Sequence, residues 1–207
     1  MRIAGKKRLT RILAWTQRAL FASAFLLLGY CAFALVDARI FQRHAGIELD
    51  RRRPEFPTSP KGAAWAEADG LIGRVKIPRL LISFVVVEGF DRDSLRRAVG
   101  HISGTALPGE AGNVGLAAHR DTFFRPLKDL RIKDEIQFST LKGNFDYRVE
   151  SLRVVEPTNV GVLASSGENV LTLVTCYPFY YVGPAPKRWI VRARQVSAQA
   201  ASPSTME

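Results

Sequence analysis

Cysteine and histidine are scarce in this chain, which has two cysteines and three histidines among 207 residues. Cys31 lies in an apolar run near the N-terminus and Cys176 lies far along the chain, so no disulfide framework is predicted. No C-x-x-C or H-E-x-x-H spacing joins Cys176 to His101, His119 or Asp121, which argues against a zinc site. A glycine-rich phosphate loop is also missing. We therefore expect no cofactor and no metal, with dependence on calcium left open.

Acidic residues are missing from the first part of the chain, where the positive charge is concentrated. The formal net charge is +11, and residues 1–18 carry six bases and no acid. A nucleic-acid-binding domain would carry a basic stripe within its folded part. Here the excess precedes an apolar segment, so we expect membrane topology to explain it and expect no nucleic acid as a partner.

The apolar segment Ala19–Val36 contains no charged residue over 18 positions. As a helix it would be about 27 Å long, which is close to the hydrocarbon thickness of a bilayer. The basic residues before it predict a cytoplasmic N-terminus and place everything after Val36 outside the cell membrane, anchored by a single pass. The arginines after the segment, at positions 39, 43 and 51–53, weaken that signal.

A cleaved signal peptide is the rival interpretation of the same segment. Ala32-Phe33-Ala34 matches an A-x-A cleavage site. The apolar run is longer than a typical signal core, so we favour an uncleaved anchor over residues 19–36.

Composition divides the rest of the chain into three parts. Residues 37–69 contain Pro54, Pro57 and Pro60, and we expect an extended, solvated stalk there. Residues 70–196 are predicted to form the folded domain. Residues 197–207 are small and polar, and we expect them to be disordered.

Strand signals dominate the predicted domain, which we therefore expect to be mainly β. Residues 145–150 alternate strictly between apolar and polar, as in a half-buried strand. We place a hairpin loop at residues 142–144. Short helical signals occur only at residues 91–100 and 125–130. Many short strands with turns between them predict a closed or nearly closed antiparallel barrel. The remaining predicted strands cover residues 71–77, 80–87, 136–141, 170–175 and 189–193.

Cys176 ends the most apolar of the predicted strands, at residues 170–175. Tyr177-Pro178 follows, and proline cannot donate to a central ladder, so we expect the strand to stop at the cysteine. Its thiol would then face a groove, where a neighbouring cation favours the reactive thiolate. A free cysteine is more often a small buried hydrophobe, and that inert interpretation stays open.

His119 and Arg188 are the partners that the sequence offers to this thiol. His119 closes the strand-like run at residues 113–118, and Asp121 lies close enough in sequence to orient its imidazole. Arg188 alternates with Trp189 on a predicted strand, with Lys187, Arg192 and Arg194 as competitors. A thiol, an imidazole and a guanidinium are the groups that a cysteine acyl-transfer enzyme needs.

Three segments together resemble the sortase family over residues 70–195. Thr172-Leu173-Val174-Thr175-Cys176 matches the T-L-x-T-C signature, and residues 118–122 are similar to the histidine segment of class D sortases. Residues 187–191 are similar to the segment that carries the sortase arginine. The resemblance implies an eight-stranded sortase β-barrel with short helices, preceded by one transmembrane helix.

The same resemblance implies a membrane-bound cysteine transpeptidase that cleaves a sorting signal of the Leu-Pro-x-Thr-x type after the threonine. Cys176 would be the nucleophile, His119 the general acid and base, and Arg188 the oxyanion donor, with a weaker expectation that Thr175 assists. The partners implied are secreted proteins with a C-terminal sorting signal. The implied acceptor is an amine, of a cell-wall precursor or a pilin lysine.

Two other functions compete with this one. An L,D-transpeptidase-like enzyme would carry a glycine before the cysteine, and Thr175 stands there instead. A membrane-anchored β-barrel that only binds partners would keep Cys176 buried and inert.

Overall fold

The computed structural model describes residues 2–52, 70–165 and 167–200. Helix α1 spans Arg2–Arg52 and helix α2 spans Arg92–Arg97. Short 3₁₀ segments occupy Pro78–Leu80, Arg125–Asp129 and Val160–Leu163. The chain divides into two compact units, residues 1–40 and residues 41–207.

The first unit consists of the larger part of α1. The predicted apolar segment Ala19–Val36 is helical throughout, and its large side chains are exposed, with Phe25 at 82% and Leu26 at 76%. Among the described residues, this helix is the one long and apolar enough to cross a membrane by length and composition. The length and the apolar, exposed surface of this helix suit a membrane span.

The end of α1 belongs to the second unit and packs on the barrel. Phe41, Ala45 and Leu49 recur at every fourth residue, which places them on one face of the helix. They form an apolar cluster with residues on and beside the barrel strands, namely Leu71, Val85, Val87, Ala98 and Leu141. The extended stalk predicted for residues 37–69 is therefore wrong over residues 37–52, and residues 53–69 lie outside the described part of the chain.

Eight strands form a closed barrel, in the order β1-β2-β3-β4-β7-β8-β6-β5. This confirms the predicted fold class. The strands are β1 (Leu71–Ile77), β2 (Ile82–Glu88), β3 (Val99–His101), β4 (Asn113–Ala117), β5 (Glu135–Thr140), β6 (Gly143–Val155), β7 (Val170–Tyr177) and β8 (Lys187–Ala200).

The barrel is mixed, and the prediction of a purely antiparallel barrel is wrong for two strand pairs. Strands β2 and β3 run parallel, as do β4 and β7, while the other neighbours are antiparallel. Helix α2 lies in the connection from β2 to β3, and two strands and two 3₁₀ segments lie between β4 and β7. Such crossovers let the chain re-enter the sheet in the same direction.

The hairpin and the C-terminus follow the prediction in part. Phe145, Tyr147 and Val149 are buried and their neighbours are not, so the predicted alternation in β6 is confirmed. Gly143 and Asn144 belong to the strand and not to the loop. Residues 197–200 continue β8 and pair with β6. The predicted disorder is therefore wrong there, while residues 201–207 lie outside the described part.

The two short helical predictions also differ in outcome. Asp91 caps α2 as expected, since its carboxylate accepts the backbone N–H of Asp93 and Ser94 at 2.9 and 3.1 Å. Gly100 does not end this helix but lies in β3, where a Cβ would clash with the carbonyl oxygen of Gly89. The predicted turn near residue 125 is the 3₁₀ segment Arg125–Asp129.

The barrel interior holds the main apolar core. Its largest fully buried side chains include Tyr147, Phe124 and Phe138, and burial raises the pKa of the Tyr147 phenol. Leu171 and Leu173 of β7 and Val191 of β8 belong to the same core. These inward residues fix the opposite, outward direction of their neighbours in each strand.

Candidate active site

Cys176 lies on the outer face of the barrel near the end of β7. Leu171 and Leu173 are in the core, so alternation turns Val174 and Cys176 outward. The cysteine is half-buried and is not part of either apolar cluster. Strand β7 ends one residue later, at Tyr177, immediately before Pro178. The prediction that the strand stops close to the thiol is correct to one residue.

Arg188 is directly opposite Cys176 in the antiparallel pair of β7 and β8. Val191 and Ala193 of β8 point into the core, so Arg188 shares the outer face with the cysteine. Directly opposed residues have Cβ atoms about 5 Å apart. The guanidinium Nη1 donates to the carbonyl oxygens of Ala185 and Lys187, at 3.2 and 3.0 Å.

His119 reaches the same surface through β4. Strand β4 runs parallel to β7, with Ala117 opposite Val174. Neighbouring strands are about 5 Å apart, and two further residues along each segment lead to His119, just beyond the end of β4, and to Cys176 on β7. Ala118 packs in the core and His119 is exposed, so the imidazole side chain begins on the outer face. The register therefore brings the three predicted residues to one patch.

The hydroxyl of Thr175 fixes the backbone beside His119. Its Oγ1 donates to the carbonyl oxygen of Ala118 at 2.8 Å, and Thr175 is only 3% exposed. The weaker bond from the Ala118 N–H to the Val174 carbonyl, at 3.4 Å, lies alongside. We name the Thr175–Ala118 hydrogen bond the strand clamp, because it ties the strand of the cysteine to the segment of the histidine.

The basic residues that compete with Arg188 all face carboxylates. Arg192 Nε donates to Glu150 Oε1 at 2.8 Å, and Arg194 contacts both Glu150 and Glu168. The pKa of Glu168 is lowered, chiefly by its hydrogen bond from Arg194. Lys187 Nζ lies 3.6 Å from Glu156 Oε1. Position and partners together favour Arg188 as the cation beside the thiol.

Among the other histidines, His101 has a structural role. It is 2% exposed, and its Nδ1 lies 2.7 Å from Glu88 Oε2 while Nε2 lies 3.1 Å from the Ala106 carbonyl oxygen. His44 lies on the exposed side of α1. Both observations leave His119 as the histidine beside the thiol.

Asp121 has no structural support for the predicted triad-like role. Its side chain is exposed, and the described residues show no hydrogen bond between its carboxylate and His119. The His119 carbonyl instead accepts the N–H of Thr122 and Phe124, which closes a turn. In the described residues no group of three or more His, Cys, Asp or Glu side chains is arranged to hold a metal ion.

Arg120 is a contact residue that the sequence did not single out. Its Nη2 donates to the carbonyl oxygens of Tyr181 and Gly183, at 2.7 and 3.0 Å, in the loop between β7 and β8. An arginine beside a histidine is an ordinary surface pattern, so only the folded loop reveals this contact.

The family now follows from comparison with known proteins. The model of the sortase domain matches residues 75–196. The chain is 30% identical to Sortase D from Bacillus subtilis strain 168 over 190 residues, which cover 86% of this chain and 96% of that protein. The chain belongs to the sortase family. It is a cysteine transpeptidase, and the expected likeness to class D sortases is confirmed.

Solved sortase structures agree with this assignment. A sortase D5 transpeptidase from Clostridium perfringens superposes with a TM-score of 0.64 at 26% identity, over 76% of this chain and 99% of that one. Sortase C from Clostridium perfringens SM101 gives a TM-score of 0.56 at 31% identity, over 61% and 70% of the two chains. Family membership makes an inert binding barrel and an L,D-transpeptidase poor descriptions of this sortase.

Proposed function

We propose that this sortase uses Cys176, His119 and Arg188 to cleave a Leu-Pro-x-Thr-x sorting signal and to transfer the acyl group to an amine. One observation supports the proposal above the others. The register of β4, β7 and β8 directs these three residues to a single outer patch. A thiol, a proton carrier and a fixed cation are the groups that acyl transfer through a thioester requires.

The first half of the reaction forms the thioester. The Cys176 thiolate attacks the threonine carbonyl carbon, and the carbonyl oxygen gains negative charge. The Arg188 guanidinium, opposite the thiol, stabilises that oxyanion. The carbon–nitrogen bond to the next residue then breaks, and the His119 imidazolium gives its proton to the leaving amine.

The second half transfers the acyl group. An incoming amine attacks the thioester carbonyl and loses its proton to neutral His119. The carbon–sulfur bond breaks, the Cys176 thiolate returns, and the imidazole is again protonated. Each of the three residues therefore returns to its starting state after one turnover.

The substrates are secreted proteins that carry the sorting signal near their C-terminus, and the acceptor is an amine of a cell-wall precursor or a pilin lysine. The similar structure of sortase C from Streptococcus pneumoniae gives insight into the pilin substrate specificity of that enzyme, which supports a pilin acceptor here. The chain's nearest match to a sorting signal, Leu107-Pro108-Gly109-Glu110, lacks the threonine. The chain therefore acts as the processing enzyme in this scheme.

We also propose a single-pass topology, with residues 1–18 in the cytoplasm and the barrel outside. The six bases before the apolar segment support this orientation. Helix α1 provides enough apolar length for the span.

A peptide panel tests the proposed specificity. The full chain in detergent micelles is incubated with Leu-Pro-x-Thr-x peptides, with peptides altered at Leu, Pro or Thr, and with an amine acceptor. We expect acyl transfer after the threonine, measured as the new amide by mass spectrometry, and its loss when the threonine is replaced. Equal use of the altered peptides would contradict the proposed sorting signal.

A further inference from the structure

The loop that joins β7 to β8 lies between two of the proposed catalytic residues. Residues 178–186 leave β7 just after Cys176 and enter β8 just before Arg188. Near its base, Tyr177 stacks on Trp189 with ring centroids 5.8 Å apart, and Phe179 packs on both rings. This aromatic group holds the two strand ends.

The tip of the loop is not held by burial. Tyr180 is 71% exposed and Val182 is 99% exposed. A loop with so little buried surface has few apolar contacts to order it. Its position therefore depends on the polar and cation–π contacts that reach it from elsewhere.

Those contacts come from the segment that carries His119. Arg120 Nη2 donates to the carbonyl oxygens of Tyr181 and Gly183, and its guanidinium carbon lies 5.8 Å from the centre of the Tyr181 ring. Arg125 and Lys128, in the following 3₁₀ segment, lie 5.3 and 5.9 Å from the centre of the Tyr180 ring. Of these three residues only Arg120 donates hydrogen bonds to the loop backbone, which are stronger when the donor is charged. From the other side of the loop, Arg188 Nη1 donates to the carbonyl oxygen of Ala185.

The Arg120 side chain is inserted between the two segments. Its Nη1 is buried and has no partner among the described residues, while Nη2 carries both hydrogen bonds. The half-buried guanidinium is thus directed at the loop. We name this contact the loop clamp.

His119 consequently lies between two clamps. On one side the strand clamp joins Ala118 to the strand of Cys176. On the other side the loop clamp joins Arg120 to the loop that leads into Arg188. We infer that Arg120 is a positioning residue, which holds His119 and the loop before Arg188 in the arrangement that acyl transfer needs. This inference rests on the proposed roles of Cys176, His119 and Arg188.

The test uses the full chain in detergent, with Arg120→Met, Arg120→Lys and the control Arg148→Met. Arg148 lies on β6 and its nearest carboxylate is Glu135 at 3.7 Å, so its loss affects neither clamp. Methionine keeps the length and apolar character of the stem but removes every donor. Lysine keeps the charge and a rotatable donor but loses the planar fork.

Two readouts separate positioning from stability. The first is the rate at which iodoacetamide alkylates Cys176 across pH, which needs no peptide substrate. The second is the split between kcat and KM for a sorting-signal peptide. Thermal unfolding is recorded beside them.

For Arg120→Met we expect kcat to fall about 10- to 100-fold with KM changed less than about threefold, because a misplaced group costs rate more than binding. The pH profile of alkylation should shift toward that of His119→Ala, and Arg120→Lys should lie between Arg120→Met and the unaltered chain. Arg148→Met should match the unaltered chain. Should Arg120→Met fail to fold, Arg120→Lys decides the question in the same assays.

An unchanged alkylation profile and kcat within about twofold in Arg120→Met would overturn the inference about Arg120 while leaving the proposed function intact. If the alkylation profile of His119→Ala matched that of the unaltered chain, the result would instead contradict the proposed function, and the inference with it. A loss of melting temperature with no change in either readout would assign Arg120 to stability alone.

Discussion

The barrel's outer surface is used in opposite ways on its two sides. Across β1 and β2, Val85 and Val87 point outward but are buried, because the end of α1 covers them with Phe41, Ala45 and Leu49. On the other side of the barrel, the outward positions hold His119 just after β4, Cys176 near the end of β7 and Arg188 near the start of β8. These three residues are exposed or half-buried and define the uncovered face.

In both regions, successive side chains of a β-strand point alternately into the core and to the outer face. On the covered side a Val-Val-Val run at residues 85–87 is buried on both faces, which requires a covering element. On the uncovered side alternation directs reactive groups to the surface while their neighbours fill the core. The side chains on the outer face, and not the barrel itself, therefore decide whether a face packs against another element or presents reactive groups.

The largest effect is expected on the uncovered face, for Cys176→Ala. Turnover should fall by at least about 10³-fold, because the proposed nucleophile is lost. The fold should persist, since the thiol belongs to neither apolar cluster. Peptide cleavage and thermal unfolding, measured together, check both statements. A large loss of melting temperature with residual turnover would contradict the distinction between the faces.

The second-largest effect is expected for Arg188→Lys, with Arg192→Lys as its matched control. Lysine keeps the charge but loses the fork, so the rate should fall about 100-fold at Arg188. Arg192 is held by Glu150 and should tolerate the change with a small effect on rate. Single-turnover kinetics on one peptide compare the two variants. Equal rates for both would remove Arg188 from its proposed role.

On the covered face the effect should be on stability and not on rate. Leu49→Ala removes a side chain that is 1% exposed and should cost about 2–5 kcal/mol of unfolding free energy. Ile47→Ala, on the same helix but 60% exposed, should cost less than about 0.5 kcal/mol. Denaturant unfolding of both variants, with kcat measured below the transition, tests the difference. A selective loss of kcat in Leu49→Ala would contradict the statement that the covered face affects stability and not rate.

The smallest effect concerns Asp134, at the far end of the segment that begins with His119. Arg79 donates to both carboxylate oxygens at 2.6 Å, and this hydrogen-bonded pairing lowers the pKa of Asp134. Because the pKa of Asp134 is lower in the folded state, its ionised carboxylate stabilises the fold above the unfolded-state pKa of about 3.9. That stabilisation is lost as the pH falls through the folded-state pKa.

Asp134→Asn should therefore lower the melting temperature at neutral pH by a few degrees, and the difference from the unaltered chain should shrink below about pH 4. Asp129→Asn, at a carboxylate that is 59% exposed, serves as the control. Melting curves across pH measure the difference. A difference in melting temperature that grows in acid would contradict the proposed stabilisation by ionised Asp134.

The uncovered face was more predictable from the sequence than the covered one. Cys176 follows a continuously apolar run and Arg188 lies on a run that alternates, both visible in the sequence, and the T-L-x-T-C motif adds a specific signal. The barrel and the helical apolar segment followed from strand and hydropathy patterns. These features depend on local periodicity, which sequence patterns carry directly.

The features that the sequence did not predict depend on long-range contacts. The spacing of Phe41, Ala45 and Leu49 does indicate an amphipathic helix, but the prolines further along made residues 37–52 resemble a stalk. The two parallel strand pairs depend on crossovers that periodicity does not encode. The loop clamp joins Arg120 to backbone carbonyls about 60 residues away, and no side-chain pattern marks a carbonyl partner.

Trapping the acyl-enzyme tests the central claim most directly. The full chain is mixed with a Leu-Pro-x-Thr-x peptide without amine, quenched in acid and measured by intact-mass spectrometry. We predict an acyl adduct on Cys176 that hydroxylamine removes, and its absence in Cys176→Ala and His119→Ala. No adduct across a broad peptide panel, together with a Cys176 thiol that reacts only after denaturation, would contradict the account.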